Sequence, residues 1–387
     1  MSNVGYLNID QPPLSFEKLP ESDGEHRKRL EIEGLIEKSI DKNLALDVLV
    51  KLSLSPYGLV NDHLRKILWP QLAGCDVNSL ERAPTLDELQ YHPEYNQVVL
   101  DVNRSLKRFP PGIPYEQRIA LQDQLTVLIL RVIQKYPNLR YYQGYHDVAV
   151  TFLLVAGEEI AFAIMEQLST SHFSECMQET MEATQRRLMF IWPVIKFENP
   201  ELYNFLQNST VGTLFALPWY LTWFGHSLNS YKSVVRLYDY FLASPIYTPI
   251  FVTAAILLYR SNEILKEDCD MASVHCLLST LPEDLPFEKL LKTSSMLVKK
   301  YSLLVIEKDV EELICQERKQ RQAEENMIMK RRRKMSRPAN ANRIFSINPW
   351  LTNILTSKSV LFTTAFSVVV GLCAYYYKNQ YLAAGIS

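Results

Sequence analysis

The sequence predicts an all-α domain that leads, through a charged helical linker, to one membrane-spanning helix near the C-terminus. Three observations carry this. Apolar residues recur at helical spacing over most of the chain as far as Leu303, with no convincing run of strand-like alternation. After about Tyr301 the composition turns sharply charged. Residues 360–377 then form an eighteen-residue stretch without a single charge.

A chain of 387 residues with 47% hydrophobic and 22% charged residues can bury a large core. Its net charge of −2 creates no global attraction for nucleic acid or acidic substrates. Glycines number only 12, and none lies in a Gly-rich phosphate loop, so the chain is not expected to hold a nucleotide by itself. The six cysteines lack framework spacing and read as reduced thiols of a cytosol-facing protein. Cys269, His275 and Cys276 are neighbours, but their spacing does not suit a zinc knuckle and no second pair follows. No His-Glu-x-x-His pair occurs either, so no metal site is expected.

Residues 1–24 are polar, contain three prolines and read as a flexible lead-in without the features of a signal peptide. The helical domain is assigned to residues 25–303. Its first pattern runs from His26 through Leu30, Ile32, Leu35, Ile36, Ile40 and Leu44 to Leu52, and Pro56 and Gly58 break it. Asn61 or Asp62 can cap the next helix, which Pro70 is expected to stop. On that helix Arg65 and Trp69, four residues apart, share a face suited to core packing or a cation–π contact.

Val98, Val99, Val102 and Leu106 form one face of a further helix, while Arg104, Lys107 and Arg108 cluster at its C-terminal end before Pro110-Pro111-Gly112. The helix dipole favours cations there. The pattern alone reads first as a solvated basic turn capping the helix; the sharper alternative is an arginine presented to a phosphate. Residues 116–136 are strongly amphipathic and end at Pro137. The turn Tyr141-Tyr142-Gln143-Gly144 follows, with Gly144 free to adopt an unusual dihedral; it suits a functional loop or a buried hydrogen-bonded corner. Residues 202–231 and 240–259 carry no charge, but Pro218 and several polar residues interrupt the first and Pro245 and Pro249 the second. Both are read as core helices rather than membrane spans.

These segments together resemble the TBC-domain GTPase-activating proteins that act on Rab GTPases. Arg65-x-x-x-Trp69 is similar to the family's opening motif, Val98-x-x-Asp101-x-x-Arg104 to its Ile-x-x-Asp-x-x-Arg motif, and Tyr141-Tyr142-Gln143-Gly144 to its Tyr-x-Gln-Gly motif. Trp223-Phe224 and the run from Arg236 to Leu242 resemble its C-terminal core helices. The resemblance implies a multi-helix Rab-GAP domain in which Arg104 serves as an arginine finger and Gln143 as a glutamine finger. Arg65, Trp69, Asp101, Tyr141 and Gly144 are then supporting residues, and Lys107 and Arg108 contribute to partner association. The implied partner is a Rab-family small GTPase, to which the GTP and magnesium belong; the chain needs no cofactor and has no independent active site. Departures are Tyr145-His146 where many members have Met-Asn, Tyr238 where many have Trp, and Val60 in place of a proline. Two other readings of the same fold are a non-catalytic Rab-binding scaffold and a membrane-shaping protein using Trp350-Leu351-x-x-Ile354-Leu355 at the interface. The presence of both Arg104 and Gln143 favours catalysis.

The linker, residues 304–359, includes the basic run Lys330-Arg331-Arg332-Arg333-Lys334. Such a run can bind nucleic acid, but here it precedes the apolar stretch 360–377, which Lys358 and Lys378 bound and Tyr375, Tyr376 and Tyr377 mark as interfacial. As a helix that stretch spans roughly 27 Å, suited to a thin bilayer such as the endoplasmic reticulum. The excess of basic residues on the N-terminal side puts the domain in the cytosol and the short tail 378–387 in the lumen. No nucleic-acid partner is expected. With the family resemblance, this membrane implies a role in early secretory vesicle traffic.

Overall fold

Two helices that are apolar on every side set the centre of the fold, because only full burial suits them. In Tyr145–Ala156 every residue but Asp147 is buried, and in Thr248–Tyr259 burial is continuous from Thr248 to Leu257. In this computed structural model, which describes residues 21–77, 82–105 and 115–335, other helices pack around that pair. Tyr115–Lys135 buries an unbroken run from Leu125 to Ile133 and packs against Tyr95–Ser105, Tyr145–Ala156 and Glu158–Thr170. On the other side Thr248–Tyr259 packs against Phe287–Lys300 and Ile191–Glu198. Among the described residues the secondary structure is entirely helical, as expected.

The first predicted helix is really three pieces. Asp23–Glu37 begins at Ser22, whose hydroxyl and Glu25 form a capping box. The chain then turns through Asp41 and Lys42, both at positive φ, before Leu46–Leu54. Asn61 caps Asp62–Ala73, its side chain accepting from the Leu64 N–H at 3.0 Å. Pro70 does not stop this helix. Proline loses its own N–H and crowds the carbonyl four residues back, yet the helix runs on for three residues until Gly74, at φ +69°, closes it in the left-handed conformation.

The uncharged stretches 202–231 and 240–259 fold into short core helices, as predicted. From the first of them, Trp223 lies edge-on to Tyr238 at 5.3 Å; Tyr238 in turn contacts Phe152 at 5.2 Å, and Phe152 lies edge-on to Trp69 at 5.1 Å. Such pairs add roughly 0.5–1.5 kcal/mol each beyond burial. The helix Leu303–Met335 starts within this unit, burying Ile306 and Val310. The unit ends at Glu317, and residues from Arg318 form one of their own. Among the described residues no helix is long and apolar enough to cross a membrane; the stretch 360–377 lies outside them.

Candidate functional site

Two buried aspartates position the residues that the sequence singles out. Asp239, on the helix Tyr231–Leu242, is fully buried. Its carboxylate accepts from Arg65 Nε at 3.1 Å, Arg65 Nη2 at 3.1 Å, Trp69 Nε1 at 2.8 Å and the Leu59 backbone N–H at 3.0 Å. The remaining Arg65 nitrogen, Nη1, reaches Asp62 at 2.9 Å. Arg65 and Trp69 do share a face, as their spacing requires, but they converge on one carboxylate. Burial opposes the Arg65 charge, yet Asp239 and Asp62 hold its pKa above the ordinary arginine value.

The turn before this helix is shaped to the same carboxylate. Tyr57, Gly58 and Val60 all have positive φ, and a Cβ on Gly58 would stand 2.5 Å from Asp239 Oδ2. Val60 has φ +66°, a value closed to proline, whose ring holds φ near −65°. The departure at this position therefore goes with a different turn.

Asp101, on Tyr95–Ser105, is the second hub. It is 2% exposed, while Arg104, one turn further on, is 70% exposed. Asp101 Oδ1 stands 3.7 Å from Arg104 Nη1. Its Oδ2 accepts from Gln97 Nε2 at 3.0 Å and from the Tyr141 hydroxyl at 3.1 Å. Burial, and then the charge on Asp101, pushes the Tyr141 pKa far above its usual value, so the phenol keeps its proton.

Tyr141 opens the turn that carries Gln143. Next to it, the Tyr142 ring is buried and its hydroxyl donates to the Leu221 carbonyl at 2.8 Å. Gly144 takes φ +106°, and a Cβ there would stand 2.9 Å from the Thr222 methyl. The turn is thus held on both sides, and Gln143 is left exposed between its anchors. Lys107 and Arg108 lie outside the described residues.

The result is an exposed guanidinium and an exposed primary amide on two segments that share one buried carboxylate. Both groups hydrogen-bond to oxyanions, and an amide also accepts. Their chemistry is to stabilise charge and orient a nucleophile brought by another molecule. Sequence reasoning overlooked Asp239 as the partner of Arg65 and Trp69. The available signal was a lone carboxylate within the aromatic run Tyr238-Asp239-Tyr240-Phe241, which demands buried donors.

A family model described as the Rab-GTPase-TBC domain matches residues 62–265. TBC1 domain family member 20 of Homo sapiens is 48% identical over 241 residues, covering 62% of this chain and 60% of that protein. The chain thus aligns with about three fifths of that relative's length. GTPase-activating protein gyp10 of Schizosaccharomyces pombe is 30% identical over 256 residues, covering 65% of this chain and 68% of that protein. Among solved structures, the Ypt/Rab-GAP domain of Gyp1p superposes with a TM-score of 0.59 at 18% identity, covering 72% of this chain and 99% of that one, a likeness of fold.

Proposed function

The chain belongs to the Rab-GTPase-TBC domain family, and we propose that it accelerates GTP hydrolysis by a Rab GTPase, supplying Arg104 and Gln143 to the partner's active site. One observation carries this reading: exposed Arg104 and the turn bearing exposed Gln143 are tied to the same buried carboxylate, Asp101. A relative named as a GTPase-activating protein supports it.

Phosphoryl transfer gathers charge on the γ-phosphate oxygens and the bridging oxygen, and a planar guanidinium entering from outside stabilises that charge. In small GTPases such a finger is worth roughly 10³ to 10⁵ in rate, or about 4–7 kcal/mol. The Gln143 amide donates to the phosphate and accepts from the attacking water. Asp101, Tyr141 and Gly144 hold the two fingers, whereas Arg65 and Trp69 hold the fold beneath them. GTP, magnesium and the phosphate cradle come with the partner, and Lys107 and Arg108 steer its approach.

The test is single-turnover phosphate release from a panel of GTP-loaded Rab proteins mixed with the full chain. At least one Rab should be accelerated by orders of magnitude. Binding to loaded Rabs without acceleration of any would leave a non-catalytic scaffold, and neither binding nor acceleration would reject the reading.

We further propose that residues 360–377 anchor the protein once through the endoplasmic reticulum membrane, with the helical domain cytosolic, for work in early secretory traffic. The support is the uncharged stretch between Lys358 and Lys378 with the basic run upstream. A glycosylation sequence appended after Ser387 should be modified in cells, and one placed before Met1 should not. The reverse pattern would overturn this topology.

A further inference from the structure

His146, the second residue of Tyr145–Ala156, is buried beside the site, and the finger reading gives it no task. Its Nδ1 lies 2.8 Å from the Tyr141 hydroxyl, whose other neighbour is Asp101 Oδ2 at 3.1 Å. A phenol hydroxyl has one hydrogen to give. Asp101, as the carboxylate paired with the Arg104 guanidinium, only accepts, so that hydrogen goes to Asp101. The contact between Tyr141 and His146 is then a hydrogen bond only when His146 Nδ1 carries the proton. The chain has one direction, from His146 to Tyr141 to Asp101, with Arg104 at its end. Moreover, the bond between residues 141 and 146 closes a loop around Gln143, clamping it from both sides.

The other ring nitrogen makes no comparable bond. His146 Nε2 stands 3.5 Å from Asp147 Oδ1, whereas Asp147 Oδ2 meets His226 Nδ1 at 2.9 Å. Burial keeps the His146 pKa below its ordinary value against the pull of Asp147 and Asp101. The weak Nε2 contact and the burial both favour a neutral ring, and the contact with Tyr141 assigns its hydrogen to Nδ1.

We infer that His146 is a positioning residue: by donating from Nδ1 it turns the Tyr141 hydroxyl onto Asp101, and so holds Arg104 and the Gln143 turn in the geometry the transition state needs. The inference rests on the finger reading above for its catalytic consequence, but the hydrogen-bond chain is measurable without it.

Two measurements on the full chain test it. The first is the tautomer in the wild type, read by nitrogen NMR with labelled histidine and assigned by the signal lost in His146→Asn. Nδ1–H is expected, relaxing toward Nε2–H in Tyr141→Phe; Nε2–H in the wild type would overturn the chain of bonds. The second is single-turnover phosphate release from a responsive Rab. Losing one aligning hydrogen bond in His146→Leu should lower the maximal rate about tenfold, with the half-saturating concentration moving less than about twofold. His146→Asn, whose amide nitrogen can donate from the same position, should stay within about threefold of wild type. A folded His146→Leu at the wild-type rate, or a His146→Asn as impaired as His146→Leu, would overturn the role. A wild type that accelerates no Rab removes the finger reading and this role together, whereas an accelerating wild type beside an unaffected His146→Leu removes the role alone.

Discussion

Asp239 and Asp101 each lie buried on a helix and each pair with an arginine, yet Arg65 is hidden with its partner while Arg104 is 70% exposed. At Asp239 every donor is internal: a fork of arginine nitrogens, an indole and a backbone N–H. At Asp101 the close donors are Gln97 and Tyr141, and the arginine stands off at 3.7 Å. A carboxylate already satisfied by neutral donors can hold a guanidinium lightly and leave its nitrogens available. One whose charge is balanced only inside the core cannot release its arginine without leaving a buried ion unpaired. The same residue pair therefore serves cohesion in one place and presentation in the other.

The sharpest way to break that contrast is Asp239→Ala. It leaves a buried arginine without its main counter-charge, at a cost of roughly 3–5 kcal/mol. Denaturant unfolding should show a large fall in midpoint, and a midpoint near wild type would deny Asp239 its cohesive role. Arg104→Ala should do the opposite, changing stability by less than about 1 kcal/mol while lowering kcat/KM on the order of 10²-fold or more. Arg104→Lys should also fail, because an ammonium cannot bridge two oxygens in one plane. An unaffected rate with Arg104→Ala would reduce the exposed arginine to a solvated helix end.

Gly144→Ala sharpens the contrast at the turn. Its φ of +106° and the Thr222 methyl 2.9 Å from the new Cβ oppose the change, with a cost of about 1–3 kcal/mol. Both melting temperature and turnover should drop, since Gln143 moves with the turn; a drop in melting temperature alone would separate the turn from catalysis. The smallest effects are expected from Lys107→Ala and Arg108→Ala. Each should slow Rab association about threefold at low salt and little at high salt, as screened surface charges do. A salt-independent loss in stopped-flow association would point to direct contact instead.

Part of the Asp101 arrangement is local and so was legible, whereas its bond from Tyr141 spans 40 positions and was signalled only by the family resemblance. Helical spacing puts Val98 and Val102 inside, and the i, i+3 relation brings Asp101 to Arg104. The Asp239 arrangement was not, because its partners come from segments 170–180 positions away, beyond the reach of any periodicity. Pro70 misled for a related reason: a proline near a helix end removes one donor, whereas the stop depended on Gly74 adopting a left-handed conformation. The positive φ of Val60 was equally unreadable, since local preference argues against it and only the tertiary turn over Asp239 accompanies it.

The distance between Arg65 and Asp239 along the chain also sets a timetable. Arg65 leaves the ribosome 174 residues ahead of the aspartate that will receive it. At roughly 5–20 residues per second, that is a wait of about 9–35 s. Throughout it, the guanidinium has Asp62 on its own helix as a carboxylate partner but lacks Asp239, and the Trp69 indole lacks the acceptor it meets in the fold. The helix Asp62–Ala73 can therefore complete its buried pairing only after Tyr231–Leu242 has been made. A nascent chain halted before Tyr231–Leu242 exposes that helix's unmatched inner face, the kind of surface that chaperones and proteases survey.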